Sequence, residues 1–145
     1  LADKKKDIYD DDLVALMETE SDRTPAFTMA YLHTSSGTET ISTATVVLKR
    51  PDGTTVQDAS CGDGPVDAIY RVIDRVTGVT PKLVGYSLAA VTEGADAQGE
   101  VHIRIESDGM TVRGKGASTD VVEASARAYL DAVNRLLAWR DKKEK

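Results

Sequence analysis

The fold of this chain is decided by residues 113–123, which read RGKGASTDVVE and open the last predicted helix. An earlier stretch, residues 61–70 (CGDGPVDAIY), follows the same order. Each stretch comes after an alternating, strand-like run, carries two glycines two positions apart, and then begins an apolar-periodic helix with an acidic residue in its first turn. Glycine permits positive φ angles and the close approach of other backbone or of a ligand. Two such strand-turn-helix corners in one short chain predict a duplicated unit.

Length and composition are those of a small globular protein. The chain has 145 residues, of which 41% are hydrophobic and 29% charged, so an ordinary core is feasible. The net charge of -6 argues against binding nucleic acid or an acidic membrane through charge attraction. No apolar run reaches the roughly 18 residues that a membrane span needs. The single cysteine, Cys61, excludes an internal disulfide and fits a reducing cytoplasm, where we expect the protein to reside.

Residues 1–24 are predicted to form a linker that contains a short helix. Acidic residues 10–12 precede Leu13, Leu16 and Met17, which share one helical face. Acids before such a run complement the partial positive charge of a helix N-terminus. Because the chain begins at Leu1 rather than at Met, we expect it to be a fragment that this linker joins to an upstream domain.

The remaining residues predict the order β-β-β-α twice, in units 25–79 and 80–145. The first unit begins with an alternating strand at residues 27–33, which sets Tyr31 and His33 on the face of Phe27 and Met29, and a turn at residues 35–37. Residues 41–49 and 54–60 give two more strands. At the first corner the residues suit a helix start, with a possible N-cap, a proline at the first helical position and an acid in the first turn: Gly64, Pro65 and Asp67.

The second unit repeats this order. Residues 82–92 form a strand with Tyr86, Leu88 and Ala90 on one face, and a loop at residues 93–99 follows. After a strand at residues 101–106 and a hairpin turn at residues 108–109, a short strand leads into the second corner. Asp120 and Glu123 have the spacing of a capping box. The last helix is expected to reach about residue 139, with one broad face formed by Val121, Ala124, Ala128, Val133, Leu136 and Leu137.

Three short strands and one helix form a one-sided layer that cannot bury its apolar face alone, whereas two such layers packed together can. We therefore predict an α+β fold of duplicated β-β-β-α units, related by an internal pseudo-twofold and preceded by a short helical linker.

Catalytic and metal sites find little support in the sequence. His33 and His102 are isolated on strands and lack partners at metal-ligand spacing, so we predict no metal site and no catalytic residue. Cys61 lies beside a helix start, where the pKa of a thiol can fall, but a small buried cysteine is the commoner situation. A free-standing enzyme that uses Cys61 or the glycine loops stays the least favoured alternative.

The two glycine corners suit a zwitterion better than a phosphate. The second corner lacks the third glycine of a dinucleotide fingerprint, and an acid lies in or near each turn, where it opposes an anion. Free backbone N–H groups at such a corner could bind a carboxylate, while a first-turn aspartate or a loop carbonyl binds an ammonium. Structural turns without any ligand are the alternative.

The two corner stretches resemble the paired signature of a known family. In sequence and in order, residues 61–71 and 114–137 are similar to the C-terminal regulatory (allosteric) domain of 2-isopropylmalate synthase and of its relative citramalate synthase. The resemblance extends over residues 25–139, and residues 1–24 resemble that family's linker. The family's domain is a β-β-β-α duplication that dimerises and binds the end-product amino acid, leucine or isoleucine. Binding there inhibits the condensation of acetyl-CoA with a 2-oxo acid in a separate TIM-barrel domain.

This resemblance implies a domain that binds leucine for feedback inhibition, forms a homodimer and acts on the catalytic domain of the same chain. An isoleucine-sensing domain of citramalate synthase and a purely structural dimerisation module are the alternatives. The catalytic barrel is absent, so we expect no enzyme activity and no cofactor in this fragment, and an acyltransferase in the full-length protein. The implied effector pocket comprises Gly62, Gly64, Pro65, Asp67, Tyr86, Leu88, Ala90, Ala97, Gln98, Gly116 and Asp120.

Overall fold

The structure, a computed structural model, describes residues 25–37, 40–91 and 98–144. The element order is β-β-β-α twice, which confirms the predicted α+β duplication. The predicted linker helix lies outside the described residues. The elements are β1 (Thr28–Gly37), β2 (Thr40–Lys49), β3 (Thr55–Gly62), α1 (Pro65–Thr77), β4 (Lys82–Val91), β5 (Gln98–Ser107), β6 (Met110–Ser118) and α2 (Val121–Glu144).

The six strands form two separate antiparallel sheets, ordered β1-β2-β3 and β4-β5-β6. In each sheet the central strand alternates, so every second side chain points into the core and the others point away. One helix packs on the inner face of each sheet and closes that half of the core. The buried side chains include Ala44, Val46 and Leu48 of β2, Val101, Ile103 and Ile105 of β5, Ile69 and Ile73 of α1, and Val133 and Leu136 of α2.

The predicted hairpin turn at residues 108–109 is confirmed by its backbone angles. Asp108 and Gly109 have φ values of 54° and 76°, and Ser107 pairs with Met110 across them. Positive φ at both central residues is the geometry of a type I′ hairpin turn, which Asp-Gly favours. Gly78 ends α1 in the left-handed conformation, with φ of 76°, and its N–H donates to the Asp74 carbonyl.

The predicted face of β1 is wrong because the strand carries a bulge. The register between β1 and β2 shifts between Met29 and Tyr31. One extra residue in a strand moves every following side chain to the opposite face. Met29 and Leu32 therefore pack toward the core, whereas Tyr31 and His33 point outward and are exposed.

Several predicted boundaries also differ from the observed ones. Residues 35–37 belong to β1 rather than to a turn, Gln98 is the first residue of β5 rather than a loop residue, and α2 continues to Glu144. β6 continues through Ser118, so Gly114 and Gly116 lie inside a strand instead of in the corner. Two burial predictions fail as well, since Val121 is 41% exposed and Cys61 is exposed.

The two units are held together mainly through their helices and through β1. The rings of Tyr70 on α1 and Tyr129 on α2 stack with their centroids 3.9 Å apart. Asn134 of α2 clamps the start of the first sheet: its Oδ1 accepts the Phe27 N–H at 3.0 Å, and its Nδ2 donates to the Phe27 carbonyl at 2.8 Å. The long second helix therefore packs on its own sheet and also reaches the first strand of the other unit.

Candidate functional site

The starts of the two helices lie at the same end of the molecule. The Tyr70 hydroxyl donates to the Ser125 carbonyl at 3.3 Å, and the Tyr129 hydroxyl donates to Asp74 Oδ1 at 2.5 Å. Both contacts join an α1 residue to the α2 residue 55 positions later. A constant offset means that the helices run in parallel, so Pro65 at the start of α1 lies level with Asp120 at the start of α2. Two positive helix ends thus point the same way.

At the first corner, Gly62 lets the helix start come close to the sheet. A Cβ on Gly62 would lie 2.5 Å from the Ala68 nitrogen and 2.7 Å from Asp67 Oδ2. The Asp67 carboxylate accepts the Asp63 N–H at 2.9 Å and Arg71 Nε at 3.1 Å. Asp67 therefore stabilises the shape of the corner, which the sequence analysis did not foresee.

Gly64 leaves the start of α1 open. Gly64 is the N-cap, Pro65 is the first helical residue, and no side chain caps the helix. A Cβ built on Gly64 would meet no atom within 4 Å. The first-turn amides of Val66 and Asp67 have no partner inside the helix, since the first intrahelical donor is Ala68, whose N–H reaches the Gly64 carbonyl at 3.0 Å.

At the second corner, Asp120 caps α2 through one carboxylate oxygen. Its Oδ1 accepts the Val122 N–H at 2.9 Å. The predicted capping box does not close, because Glu123 bonds to the Ser118 hydroxyl rather than to the Asp120 amide, and Ser118 Oγ accepts the Asp120 N–H at 3.1 Å. Hydrogen bonds, first from Arg127 and then from Ser118, lower the pKa of Glu123. The lowered pKa keeps Glu123 ionised, and its carboxylate pairs with Arg127 at 2.7 Å.

Gly116 is turned toward the protein instead of toward this open end. A Cβ there would lie 2.5 Å from the Ala128 nitrogen and 2.6 Å from the Ala124 carbonyl oxygen. The same holds for Gly114, whose Cβ would lie 2.3 Å from the Ala128 carbonyl oxygen. These two glycines therefore let α2 pack directly on the backbone of β6.

Tyr86 and Leu88 of β4 project beside α2 but are not covered by it. Tyr86 is 46% exposed and Leu88 is 52% exposed. The Tyr86 hydroxyl reaches the helix, where it lies 2.8 Å from Ser125 Oγ. A Cβ on Gly99 would lie 3.2 Å from Leu88 Cδ1 and 3.7 Å from Val121 Cγ2, so both side chains border Gly99.

The other predicted pocket residues lie at the same end, as far as they are described. Ala90 pairs with Gly99, and Gln98 opens β5 opposite Val91. Ala97 lies outside the described residues. The structure thus gathers the two helix starts and the end of the second sheet at one end of the domain. Gly116 lies there under the helix.

A cavity of about 260 Å³ opens between β1 and the first turns of α2. Main-chain and side-chain atoms of the β1 segment form one wall, and the start of α2 forms the other. Its lining includes Leu32, Thr34, Asp120, Val122, Glu123 and Arg127.

A polar network behind this end was not predicted from the sequence. Ser125 is fully buried in α2, and its hydroxyl also donates to the Val121 carbonyl at 2.8 Å. Through Ser125, Tyr86 of the second sheet and Tyr70 of α1 contact the same turn of α2. Burial raises the pKa values of Tyr70 and Tyr129, and burial raises the pKa of Asp74 to about 6. A serine within an otherwise apolar helix face was the available signal.

Two further properties concern the part of the chain that the structure describes. Within it, no group of three or more His, Cys, Asp or Glu side chains could hold a metal ion. No helix among the described residues is long and apolar enough to cross a membrane.

Comparison with known proteins identifies the family. A family model described as the LeuA allosteric (dimerisation) domain matches residues 7–137. The chain is 51% identical over 139 residues to a 2-isopropylmalate synthase of Carboxydothermus hydrogenoformans, covering 94% of this chain and 27% of that protein. It is 50% identical over 145 residues to the 2-isopropylmalate synthase of Pelotomaculum thermopropionicum, covering 99% of this chain and 28% of the relative. The chain thus spans about a quarter of the length of these relatives, and it belongs to the LeuA allosteric (dimerisation) domain family.

Proposed function

We propose that this domain is the leucine-binding regulatory part of a 2-isopropylmalate synthase. The observation that carries the proposal is the meeting of two parallel helix starts with exposed apolar side chains of β4 at one end of the domain. The 2-isopropylmalate synthases of Carboxydothermus hydrogenoformans and Pelotomaculum thermopropionicum are about half identical to this chain, which favours leucine over isoleucine as the effector.

The chemistry of this end suits an aliphatic amino acid. The uncapped first turn of α1 offers the amides of Val66 and Asp67 to a carboxylate. Asp120 uses Oδ1 for the helix cap, which leaves Oδ2 for an ammonium group. Leu88 and Val121, both about half-exposed, offer an apolar surface to a branched side chain.

In this proposal the complete protein condenses acetyl-CoA with a 2-oxo acid in a separate catalytic domain, and leucine acts from the regulatory domain. A ligand inhibits only if it binds one conformational state more tightly than another. The uncovered flank of β4 lies beside the helix starts, so a second copy of the chain packed there would sense the effector directly.

The test is calorimetric titration of the chain with leucine and with isoleucine. At a hundred times its dissociation constant, a ligand that binds only the folded state adds about 2.7 kcal/mol to the free energy of unfolding. We expect leucine to bind and to raise the melting temperature. Tighter binding of isoleucine would favour the citramalate synthase alternative, and no effect of either at millimolar concentration would leave a dimerisation module without an effector.

Gly64→Asp separates the binding site from the fold. A side chain at Gly64 meets no protein atom within 4 Å, so the variant should fold normally while its carboxylate repels that of leucine at the start of α1. The matched control is Thr80→Asp, which adds the same charge at an exposed position beyond the other end of α1. We expect leucine binding to be lost in the first variant and kept in the second.

A further inference from the structure

The outer face of the second sheet carries a groove that the proposed function does not use. The groove has a volume of about 500 Å³ and crosses all three strands of the sheet. It lies on the side away from α2, as the outward alternation of β5 requires. Its lining comprises Gly85, Tyr86, Ser87, His102, Ile103, Arg104, Arg113 and Gly114.

Two arginines face each other across this groove. Arg104 of β5 is directly opposite Arg113 of β6, and both are exposed. Like charges directly opposite each other destabilise an antiparallel pair. Neither arginine forms an ion pair or a hydrogen bond with the part of the chain that the structure describes. Two cations without an ion pair among the described residues thus adjoin on a protein whose net charge is -6.

Gly85 leaves room for the side chain of one of these two arginines. A Cβ on Gly85 would lie 2.8 Å from Arg104 Nε and 3.3 Å from its Nη2. The Arg104 side chain therefore lies across the β4 backbone at the point where only a glycine leaves room.

We propose that this groove binds the phosphate group of a small molecule. Two adjacent guanidinium groups offer paired N–H donors that match the oxygens of a phosphate, and the Ser87 hydroxyl lines the same groove. Binding would place a dianion between Arg104 and Arg113 and so relieve their repulsion.

The neighbouring charges are compatible with this assignment. His102 is bonded to Glu100 Oε1 at 2.5 Å, so Glu100 is occupied by a neighbour. Glu106 shares the outer face with Arg104 and forms no ion pair with it among the described residues.

The experiment is a titration of the isotope-labelled chain with inorganic phosphate and with pyrophosphate at constant ionic strength, followed by NMR. We expect saturable shifts of the amide signals of Ser87, Arg104 and Arg113, and tighter binding of pyrophosphate than of phosphate. Arg113→Gln should weaken binding about tenfold or more, as the loss of a charged hydrogen-bonding group does.

The matched control is Lys115→Gln, which removes the same charge from the same face of β6 but outside the groove. Its binding should equal that of the unsubstituted chain. The proposal is wrong if both variants weaken binding equally, if the shifts spread over all basic residues, or if millimolar pyrophosphate shifts none of these signals. Arg104→Gln is a second variant in the groove, and melting curves of all three establish that they fold.

Discussion

β1 and β4 are equivalent strands of the two units, but the side chains on the inner face of β1 are packed and those on the inner face of β4 are exposed. Both are ten-residue edge strands, and both carry a bulge within their first few residues, between Met29 and Tyr31 and between Leu83 and Gly85. Side chains on the inner face of β1 pack against the core. Those on the inner face of β4 are 42–52% exposed: Leu83, Tyr86 and Leu88.

The length of the helices accounts for the difference. α2 has 24 residues and α1 has 13, which correspond to about 36 Å and about 20 Å. The longer helix packs on β5 and β6 of its own sheet and also reaches the start of β1, where Asn134 forms two hydrogen bonds with the Phe27 backbone. The inner face is therefore covered at β1 and left exposed at β4. The open side, along β4, is where we expect a second copy and the effector to bind.

The largest expected effect on the free energy of unfolding comes from Gly114→Ala, which would displace α2 and so expose the inner face of β1. A methyl group at this position would lie 2.3 Å from the Ala128 carbonyl oxygen and 2.6 Å from the Ala132 nitrogen. Because both are helix backbone atoms, α2 as a whole must move away from β6. We expect a loss of about 3 kcal/mol in the free energy of unfolding, the upper part of the range for overpacking. Urea denaturation measures this loss.

Hydrogen exchange in the same variant tests whether α2 accounts for the difference between β1 and β4. If α2 alone protects β1, the amides of β1 should exchange in this variant as fast as those of β4. The matched control is Gly64→Ala, because Gly64 has an extended backbone and an added Cβ meets no atom within 4 Å. Equal losses of stability in the two variants would contradict the close packing of α2 on β6.

The sequence predicted the repeated element order because that order depends on local signals. Alternation marked the strands, Gly64 and Pro65 marked one helix start, and Asp108 with Gly109 marked a hairpin. The bulge at Met29 could not be predicted, since nothing in a short alternating run marks an extra residue. Gly114 and Gly116 were assigned to a turn because glycine is typical of turns, while the close packing of a distant helix is a tertiary property.

The candidate site was predicted only in part, for a related reason. The helix starts were visible as capping patterns, and the family resemblance pointed to β4. The parallel alignment of α1 and α2 depends on contacts such as Tyr70 with Ser125, which lie 55 residues apart. Spacing along the chain contains no information about such a pair.

A matched pair of truncations tests β1 against β4 with a smaller effect. Leu32→Ala removes a side chain that packs against the core, and we expect it to lower the free energy of unfolding by about 2 kcal/mol. Leu88→Ala removes one that is 52% exposed, which should cost less than about 1 kcal/mol. Chemical denaturation of the two variants in parallel gives the difference.

The dissociation constant of the dimer should rank the two variants in the opposite order from the free energy of unfolding. If a second copy covers the flank of β4, Leu88→Ala weakens the dimer more than Leu32→Ala does, and sedimentation equilibrium measures both dissociation constants. A dimer that is weakened by Leu32→Ala and unaffected by Leu88→Ala would show that the uncovered strand is not the interface.

The smallest expected effect concerns Asp74, which joins α1 to the helix that covers β1. Burial raises its pKa from 3.8 to about 6, against the opposing effect of the Tyr129 hydrogen bond. An acid with a raised pKa in the folded state stabilises the fold when protonated, so this contribution is complete below about pH 4 and is lost as the pH rises through about 6. Asp74→Asn keeps an oxygen acceptor for the Tyr129 hydroxyl and cannot ionise. The variant should therefore melt higher than the unsubstituted chain above pH 6, and the gap should close toward pH 4. Since Asp74 is only half-buried, solvent screening keeps the gap small.

Melting curves between pH 4 and pH 7 measure this gap in melting temperature. The control is Asp63→Asn, which removes an exposed carboxylate near the start of the same helix. If the curve of Asp74→Asn runs parallel to that of the unsubstituted chain at every pH, the contact between the two helices does not titrate, and the position of α2 over β1 is independent of this proton.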